Sequence, residues 1–139
     1  MRPWAILALV LALSTSGGRI YRPSHPMPLV HPVINLPLFA FWGIAATESD
    51  FDPLAISKDG ADLGMWQLRS FYNRERGIKN PFDPIESTRW AAKNFGKNMA
   101  YFGNVDKAIS AHLRGRAWVK RHGIDREYLR RVRGAKCLQ

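Results

Sequence analysis

Apolar and polar positions follow a helical period over most of the second half of the chain. The clearest pattern covers residues 85 to about 102, where apolar and amide side chains share one face and basic residues lie roughly opposite. A shorter pattern covers residues 105 to 114, and Asp125 can cap a final helix over residues 126–132. The sequence contains no repeat and no long alternating strand. We therefore expect a mostly α-helical domain with little or no sheet.

The first helix is predicted over residues 38 to about 50. Apolar residues recur there at helical spacing, Asn35 can serve as the N-cap, and Pro37 suits the first turn. Gly43 weakens this helix, and Pro53 disfavours helical backbone at the residue before it. The helix is therefore expected to end before that proline.

Turn-forming residues separate this helix from the long one. Residues 54–63 contain Ser, Asp and Gly and predict a loop, whereas residues 64–68 are a brief apolar piece that fits a strand or a helix start. A second break ends at Pro84, which opens the long helix. Gly115 and Gly123 interrupt the segment between the last two patterns, and no helix is predicted there.

Residues 1–37 are predicted to lie outside the folded domain. Residues 1–18 have a positive start, a short apolar run and small residues near the cleavage point, as secretory signal peptides do. The run is too short to span a bilayer, which takes about 20 residues, and an uncleaved anchor is the alternative. Residues 19–37 are rich in proline and predict a linker. We therefore expect a secreted or periplasmic domain at residues 38–139, with no stable membrane span after cleavage.

The chain is strongly basic. It carries 21 Lys and Arg residues against 11 Asp and Glu residues, a formal net charge of +10. This excess suggests a polyanionic partner, which could be nucleic acid, an anionic membrane or an acidic cell-wall polymer. The basic residues of positions 114–136 could form a binding face or a solvated surface. The single cysteine, Cys137, excludes an intrachain disulfide and a Cys-based metal site.

Glu48 is the leading candidate for chemistry. It follows an apolar helical run and should lie at the C-terminal end of that helix. Burial and the negative end of the helix dipole both favour the neutral, protonated carboxyl. A neutral carboxylic acid can protonate a leaving oxygen, as glycoside cleavage requires. On position alone, a surface glutamate at a helix end is the alternative.

A series of short motifs begins at Glu48 and continues toward the C-terminus. Glu48-Ser49 closes the first helix, Phe-x-Pro-x-Ala occupies residues 51–55, and Gly-x-x-Gln occupies residues 64–67. Further pieces lie at Asp83-Pro84, in residues 102–115, and as Tyr-x-x-x-Val at residues 128–132. Together, these pieces resemble the lytic transglycosylases of the lysozyme-like superfamily over about residues 38 to 133.

The resemblance implies a compact lysozyme-like α-helical domain that acts on the glycan strands of peptidoglycan. The reaction would be cleavage of the β-1,4 bond between N-acetylmuramic acid and N-acetylglucosamine. Glu48 would act first as acid on the glycosidic oxygen and then as base on the muramoyl C6 hydroxyl, which closes a 1,6-anhydro ring. No metal or cofactor is expected, and we expect a monomer.

The resemblance also implies roles for residues near Glu48. Ser49 would orient Glu48, and Tyr128 would form a hydrogen bond near it. Gln67 and the backbone of the turn before it would contact sugar. The residues of that turn are Gly64, Met65 and Trp66.

Several aromatic side chains could stack on sugar faces or on the peptide stem: Trp66, Phe71, Tyr72, Trp90, Tyr101 and Trp118. Trp66, beside Gln67, is the best candidate, whereas the helical spacing of Trp90 and Phe95 favours the core. His112 stands where the family usually has a tyrosine, so it could contact sugar in place of that residue or pack inside the domain.

Two alternatives to the transglycosylase hypothesis remain. Asp62-Leu63-Gly64 resembles the Asp-x-Gly of true lysozymes, where an ionised Asp supports retaining hydrolysis with the two carboxyls about 5 Å apart. Asp62 could therefore bind substrate or act with Glu48 in a hydrolytic muramidase. The chain could also be a basic module that binds wall polymers or nucleic acid without catalysis. The export signal argues against nucleic acid, and anionic wall polymers are the expected additional partners.

Overall fold

The computed structural model describes residues 36–135 of the chain. The predicted signal peptide, most of the predicted linker, the predicted cap Asn35 and Cys137 lie outside the described residues. The described part is mostly helical with one small antiparallel hairpin, which confirms the predicted fold class. The helices are α1 (Leu38–Ser49), α2 (Ser70–Asn73), α3 (Pro84–Phe102), α4 (Val105–Arg114), α5 (Arg116–His122) and α6 (Arg126–Gly134). The strands are β1 (Asp62–Leu63) and β2 (Leu68–Arg69).

Capping residues set the ends of the long helix α3. The Asp83 side chain accepts hydrogen bonds from the backbone N–H groups of Ile85 and Glu86, and Gly103 ends the helix in the left-handed region. Helix α4 covers the predicted residues, and the Asn104 side chain caps it by accepting from the N–H of the third helical residue. Both helices therefore begin and end where the sequence pattern indicates.

Helix α1 forms the centre of the hydrophobic core. Its middle turns are buried on every side, and Asp50, at a φ of 53°, ends it in the left-handed region. The Phe41 ring lies 4.5 Å from the Trp66 ring and 6.1 Å from the Phe95 ring, measured between centroids. Leu36, placed in the predicted linker, is also buried in this core, so the packed domain begins slightly before residue 38.

Gly43 allows helix α6 to approach α1 closely. A Cβ at Gly43 would stand 2.8 Å from the carbonyl oxygen of Val132. Glycine inside a helix costs about 1 kcal/mol relative to alanine, and here the close approach explains its use. This packing brings Tyr128 of α6 beside the C-terminal end of α1.

Two short segments differ from the predictions. Residues 64–68 were expected to be a strand or a helix start, but residues 64–67 form a tight turn with positive φ at Gly64 and Gln67, and only Leu68 belongs to a strand, β2. Residues 116–122 form helix α5, where no helix was predicted. The sequence shows no apolar period there, because Val119 is the only buried residue of this helix. Within residues 36–135, no helix has the length and apolar character needed to cross a bilayer.

Candidate active site

A cleft of about 480 Å³ lies beside the C-terminal end of α1. Glu48, in the last turn of α1, lines this cleft and is half-buried. The predicted site residues Asp62, Gln67 and His112 line the same cleft. The fold thus brings together side chains that are far apart in the sequence, and it places Glu48 in a crevice rather than on an open surface.

Tyr128 holds the Glu48 carboxyl through a hydrogen bond. Its hydroxyl donates to Oε1 of Glu48, as predicted, although the Tyr128 side chain is only 1% exposed. Desolvation, and then the nearby Glu48 charge, raise the pKa of Tyr128 well above its usual value. The phenol therefore stays neutral and remains a donor to the Glu48 carboxyl.

A partly buried network at the start of α6 fixes the position of Tyr128. Asp125 accepts from the Tyr128 backbone N–H at 2.9 Å and from Nε of Arg114 at 2.7 Å. These two contacts, the backbone one first, lower the pKa of Asp125. The Ser110 hydroxyl accepts from the Asp125 N–H at 2.9 Å and donates to the Asp106 carbonyl at 2.8 Å. The network joins α6 to α4 and thereby sets where the phenol reaches α1.

Ser49 fastens the end of α1 to the turn at residues 64–67. Its hydroxyl donates to the carbonyl oxygen of Met65 at 2.8 Å. We predicted that Ser49 orients Glu48, and the contact found is with the turn rather than with the carboxyl. The orienting role of Ser49 therefore stays a prediction, and the contact observed ties the end of α1 to this turn.

The turn at residues 64–67 requires glycine at its first position. Gly64 has a φ of 74°, and a Cβ there would stand 2.1 Å from the carbonyl oxygen of Pro81. Gln67 has a φ of 46°, and its Nε2 donates to the Gly64 carbonyl at 2.9 Å. This bond orients the Gln67 amide at the edge of the cleft, where it can meet a polar ligand.

The prediction that the Trp66 indole stacks on a sugar was wrong. Trp66 is 0% exposed and Met65 is 1% exposed, so neither side chain reaches the cleft. The indole Nε1 donates to the Thr88 hydroxyl at 3.0 Å, and the ring packs against Phe41. Because its N–H has this internal partner, the indole can be buried without losing a hydrogen bond.

His112 both packs inside the domain and lines the cleft. Its Nε2 lies 3.3 Å from the Trp66 carbonyl oxygen, and its ring meets the indole edge-on with centroids 6.2 Å apart. Desolvation lowers the pKa of His112, against the smaller opposing effect of the Glu48 charge. The imidazole is therefore neutral at neutral pH, with an N–H directed at the Trp66 carbonyl.

Asp62 lines the cleft as part of an ion pair. It is paired with Arg69 across the hairpin, and both carboxylate oxygens accept from the guanidinium at 3.0 Å. This bidentate contact satisfies the carboxylate. Within residues 36–135, no group of three or more His, Cys, Asp or Glu side chains could hold a metal ion.

The sequence analysis missed the polar part of this cleft wall, which includes Arg76 and Asn94. Tyr72, one of the aromatic candidates, lines the cleft as well, and so does Trp90, which was expected in the core but is only partly buried. The Arg76 guanidinium lies over the Trp90 ring, 4.7 Å from its centroid. In the sequence, Arg76 belongs to a charged Asn-Arg-Glu-Arg-Gly stretch that reads as a solvated loop, and no motif distinguishes it.

Comparison with known proteins gives one family. The profile of the transglycosylase SLT domain matches residues 34–128. Searches of curated proteins and of solved structures give no match. The match covers the helix that carries Glu48, the cleft walls and Tyr128, and it confirms the resemblance drawn from the motifs. The chain therefore belongs to the transglycosylase SLT domain family, which supports a lytic-transglycosylase type of function on peptidoglycan in the cell envelope.

Proposed function

We propose that this protein is a peptidoglycan lytic transglycosylase that uses Glu48 as its catalytic acid and base. The scissile bond would be the β-1,4 bond between N-acetylmuramic acid and N-acetylglucosamine. One observation carries the proposal: among the described residues, the Glu48 carboxyl faces the cleft with a neutral phenol as its hydrogen-bond partner and with no ion pair. A carboxyl that faces the cleft without a counter-ion can serve as the general acid that glycoside cleavage needs.

In the first step, protonated Glu48 gives its proton to the glycosidic oxygen. The bond from the muramoyl C1 to that oxygen breaks, and its electron pair leaves with the N-acetylglucosamine fragment. The Tyr128 hydroxyl occupies Oε1 of Glu48, so Oε2 is the oxygen that carries the proton. Glu48 is then a carboxylate, and the muramoyl ring is positively charged near C1.

In the second step, the Glu48 carboxylate takes the proton of the muramoyl C6 hydroxyl. The C6 oxygen then bonds to C1 and closes the 1,6-anhydro ring, and Glu48 regains its starting protonation state. No water enters the products. One catalytic carboxyl suffices, because the substrate supplies its own nucleophile.

The hydrolytic alternative needs Asp62 as a second functional carboxylate. Asp62 does line the cleft, but Arg69 engages both of its oxygens. A nucleophilic or charge-stabilising role would require that pair to open. For this reason we favour anhydro-ring closure over hydrolysis.

The products of peptidoglycan digestion test the proposal. Intact sacculi are digested with the full-length protein, and the released fragments are analysed by mass spectrometry. Anhydro-muropeptides, each lighter by one water than the reducing-end product, are expected from the unaltered protein and not from a Glu48→Gln variant. Reducing-end products would overturn the transglycosylase assignment. Activity retained by Glu48→Gln would overturn the role of Glu48.

A further inference from the structure

Arg76 places a positive charge in the wall of the cleft, and among residues 36–135 it forms no ion pair. Its guanidinium carbon lies 4.7 Å from the centroid of the Trp90 ring and 5.4 Å from that of Tyr72. Its Nη1 is buried and has no hydrogen-bond partner among residues 36–135. The two rings hold the guanidinium in place by cation–π attraction but accept no hydrogen bond from Nη1.

The other arginines of the cleft have polar partners within the domain. Arg69 pairs with Asp62, Arg114 pairs with Asp125, and Arg116 donates from Nε to the amide oxygen of Asn98 at 2.7 Å. Arg76 has neither an acidic nor an amide partner in the described part of the chain. It is therefore the arginine of this wall whose guanidinium has no polar partner among residues 36–135.

Partial burial makes the free guanidinium unfavourable without a ligand. Desolvation lowers the pKa of Arg76, yet an arginine keeps its charge under all ordinary conditions. A buried donor on a charged group that lacks a partner destabilises the protein until an acceptor reaches it. The planar fork of a guanidinium fits a carboxylate, which accepts two parallel hydrogen bonds from it.

We propose that Arg76, held by Trp90 and Tyr72, is a binding site for a carboxylate of the glycan strand. The site would select strands that carry this charge on the muramic acid, and this inference rests on the proposed action on peptidoglycan. Two parts of the substrate offer the same chemistry. One is the lactyl carboxylate of a muramic acid without a peptide, and the other is a carboxylate of an attached stem peptide.

The test measures binding to the full-length protein in a Glu48→Gln background, where no cleavage occurs. Isothermal titration calorimetry compares a peptide-free muramic acid tetrasaccharide, the same strand with stem peptides, the methyl esters of both, and a neutral tetramer of N-acetylglucosamine. Arg76→Gln is expected to raise the Kd of a carboxylate ligand by about ten- to a hundredfold, the usual loss for a hydrogen bond to a charged group. Binding of the neutral tetramer should not change.

Arg74→Gln is the matched control, because Arg74 is exposed, lies two residues away and does not line the cleft. It should leave every Kd unchanged. Methyl esterification tests the site without altering the protein, so a folding defect in Arg76→Gln cannot hide the result. The ester should bind the Arg76 protein about as weakly as the free acid binds the Arg76→Gln variant.

The pattern of losses identifies the source of the carboxylate. A loss with peptide-free strands assigns the lactyl carboxylate, and a loss only with peptide-bearing strands assigns the stem. Equal weakening of charged and neutral ligands, no weakening at all, or no binding of any carboxylate ligand would overturn the inference. Failure of the unaltered protein to cleave sacculi would overturn the proposed function instead, because the binding comparison does not depend on cleavage.

Discussion

The cleft holds two carboxyl groups in opposite electrostatic surroundings. Glu48, at the end of α1, has a neutral phenol as its partner and a neutral imidazole nearby. Asp62, on the hairpin, is held in a bidentate ion pair with Arg69. A cation thus engages both oxygens of Asp62, whereas Glu48 forms no ion pair among residues 36–135. In the proposed reaction, this difference leaves proton transfer to Glu48 alone.

Glu48→Gln should have the largest effect, because it removes the carboxyl that the proposal uses for proton transfer. The amide is nearly the same size but cannot donate a proton as an acid. The rate of peptidoglycan cleavage should therefore fall by about a hundredfold to ten-thousandfold. The Tyr128 hydroxyl can still donate to the amide oxygen, so the melting temperature should change little. The rate is measured by release of soluble muropeptides, and the fold by thermal unfolding. A variant with more than a tenth of the original rate would refute the assignment.

Gly64→Ala tests the turn that adjoins Glu48. The added Cβ would meet the Pro81 carbonyl at 2.1 Å in a left-handed backbone, so we expect a loss of about 3 kcal/mol in the free energy of unfolding. Gly60→Ala is the matched control, because Gly60 has a similar φ of 73° and nothing within 4 Å of an added Cβ. That substitution should cost about 1–2 kcal/mol. The free energy of unfolding of both variants is measured by urea unfolding. Equal losses in Gly64→Ala and Gly60→Ala would contradict the close approach of Gly64 to the Pro81 carbonyl.

Tyr128→Phe removes the neutral partner of Glu48 and keeps the buried ring. We expect kcat to fall about tenfold, since one hydrogen bond to the proposed catalytic carboxyl is lost. Tyr101→Phe, on an exposed ring away from Glu48, provides the control and should behave as the unaltered protein does. Unchanged kcat in Tyr128→Phe would show that Glu48 does not need the phenol.

His112 predicts a dependence of stability on pH. Its pKa is lowered in the folded state, so the unfolded chain binds the proton more readily, and stability is lost as pH falls below the unfolded value of about 6.5. One proton changes the free energy of unfolding by at most about 1.4 kcal/mol per pH unit. Urea unfolding at pH 7.5 and pH 5.5 should show a smaller difference for His112→Gln than for the unaltered protein. If the two proteins lose the same stability between pH 7.5 and pH 5.5, the lowered pKa of His112 would be refuted.

Asp62→Asn should have the smallest effect. The ion pair with Arg69 is partly exposed, and such pairs contribute about 0–1 kcal/mol, so cleavage should change by less than about fivefold. Arg69→Gln is the companion variant and should change the rate to a similar extent. A loss for Asp62→Asn as large as that for Glu48→Gln would favour hydrolysis with two carboxyls.

The sequence was sufficient to predict the parts of the molecule that depend on local signals. Helices α3, α4 and α6 follow from capping residues and apolar period, and the contact between Glu48 and Tyr128 follows from the order of the family motifs. In each case the residues that carry the signal lie within the predicted element or within a motif. Local chemistry therefore decides these features.

The remaining features depend on contacts between distant segments. Trp66 looks like a cleft residue in the sequence, and only the contacts of its turn with helix α3, such as the hydrogen bond to Thr88, show why it is buried. Arg76 looks like one charge in a polar loop, and only the position of Trp90 on α3 places it in the cleft. Helix α5 lacked an apolar face to predict it. Arg76 and Trp90 therefore belong to the part of the cleft wall that local signals do not reveal.

Digestion in water enriched in heavy oxygen tests the central claim most directly. If Glu48 alone transfers the proton and the C6 hydroxyl closes the ring, no solvent oxygen enters the products. The account therefore predicts muropeptides of the same mass in heavy-oxygen water and in ordinary water. Heavy oxygen at C1 of the released muramic acid would show that water is the nucleophile and would contradict the proposed role of Glu48 as acid and base for ring closure.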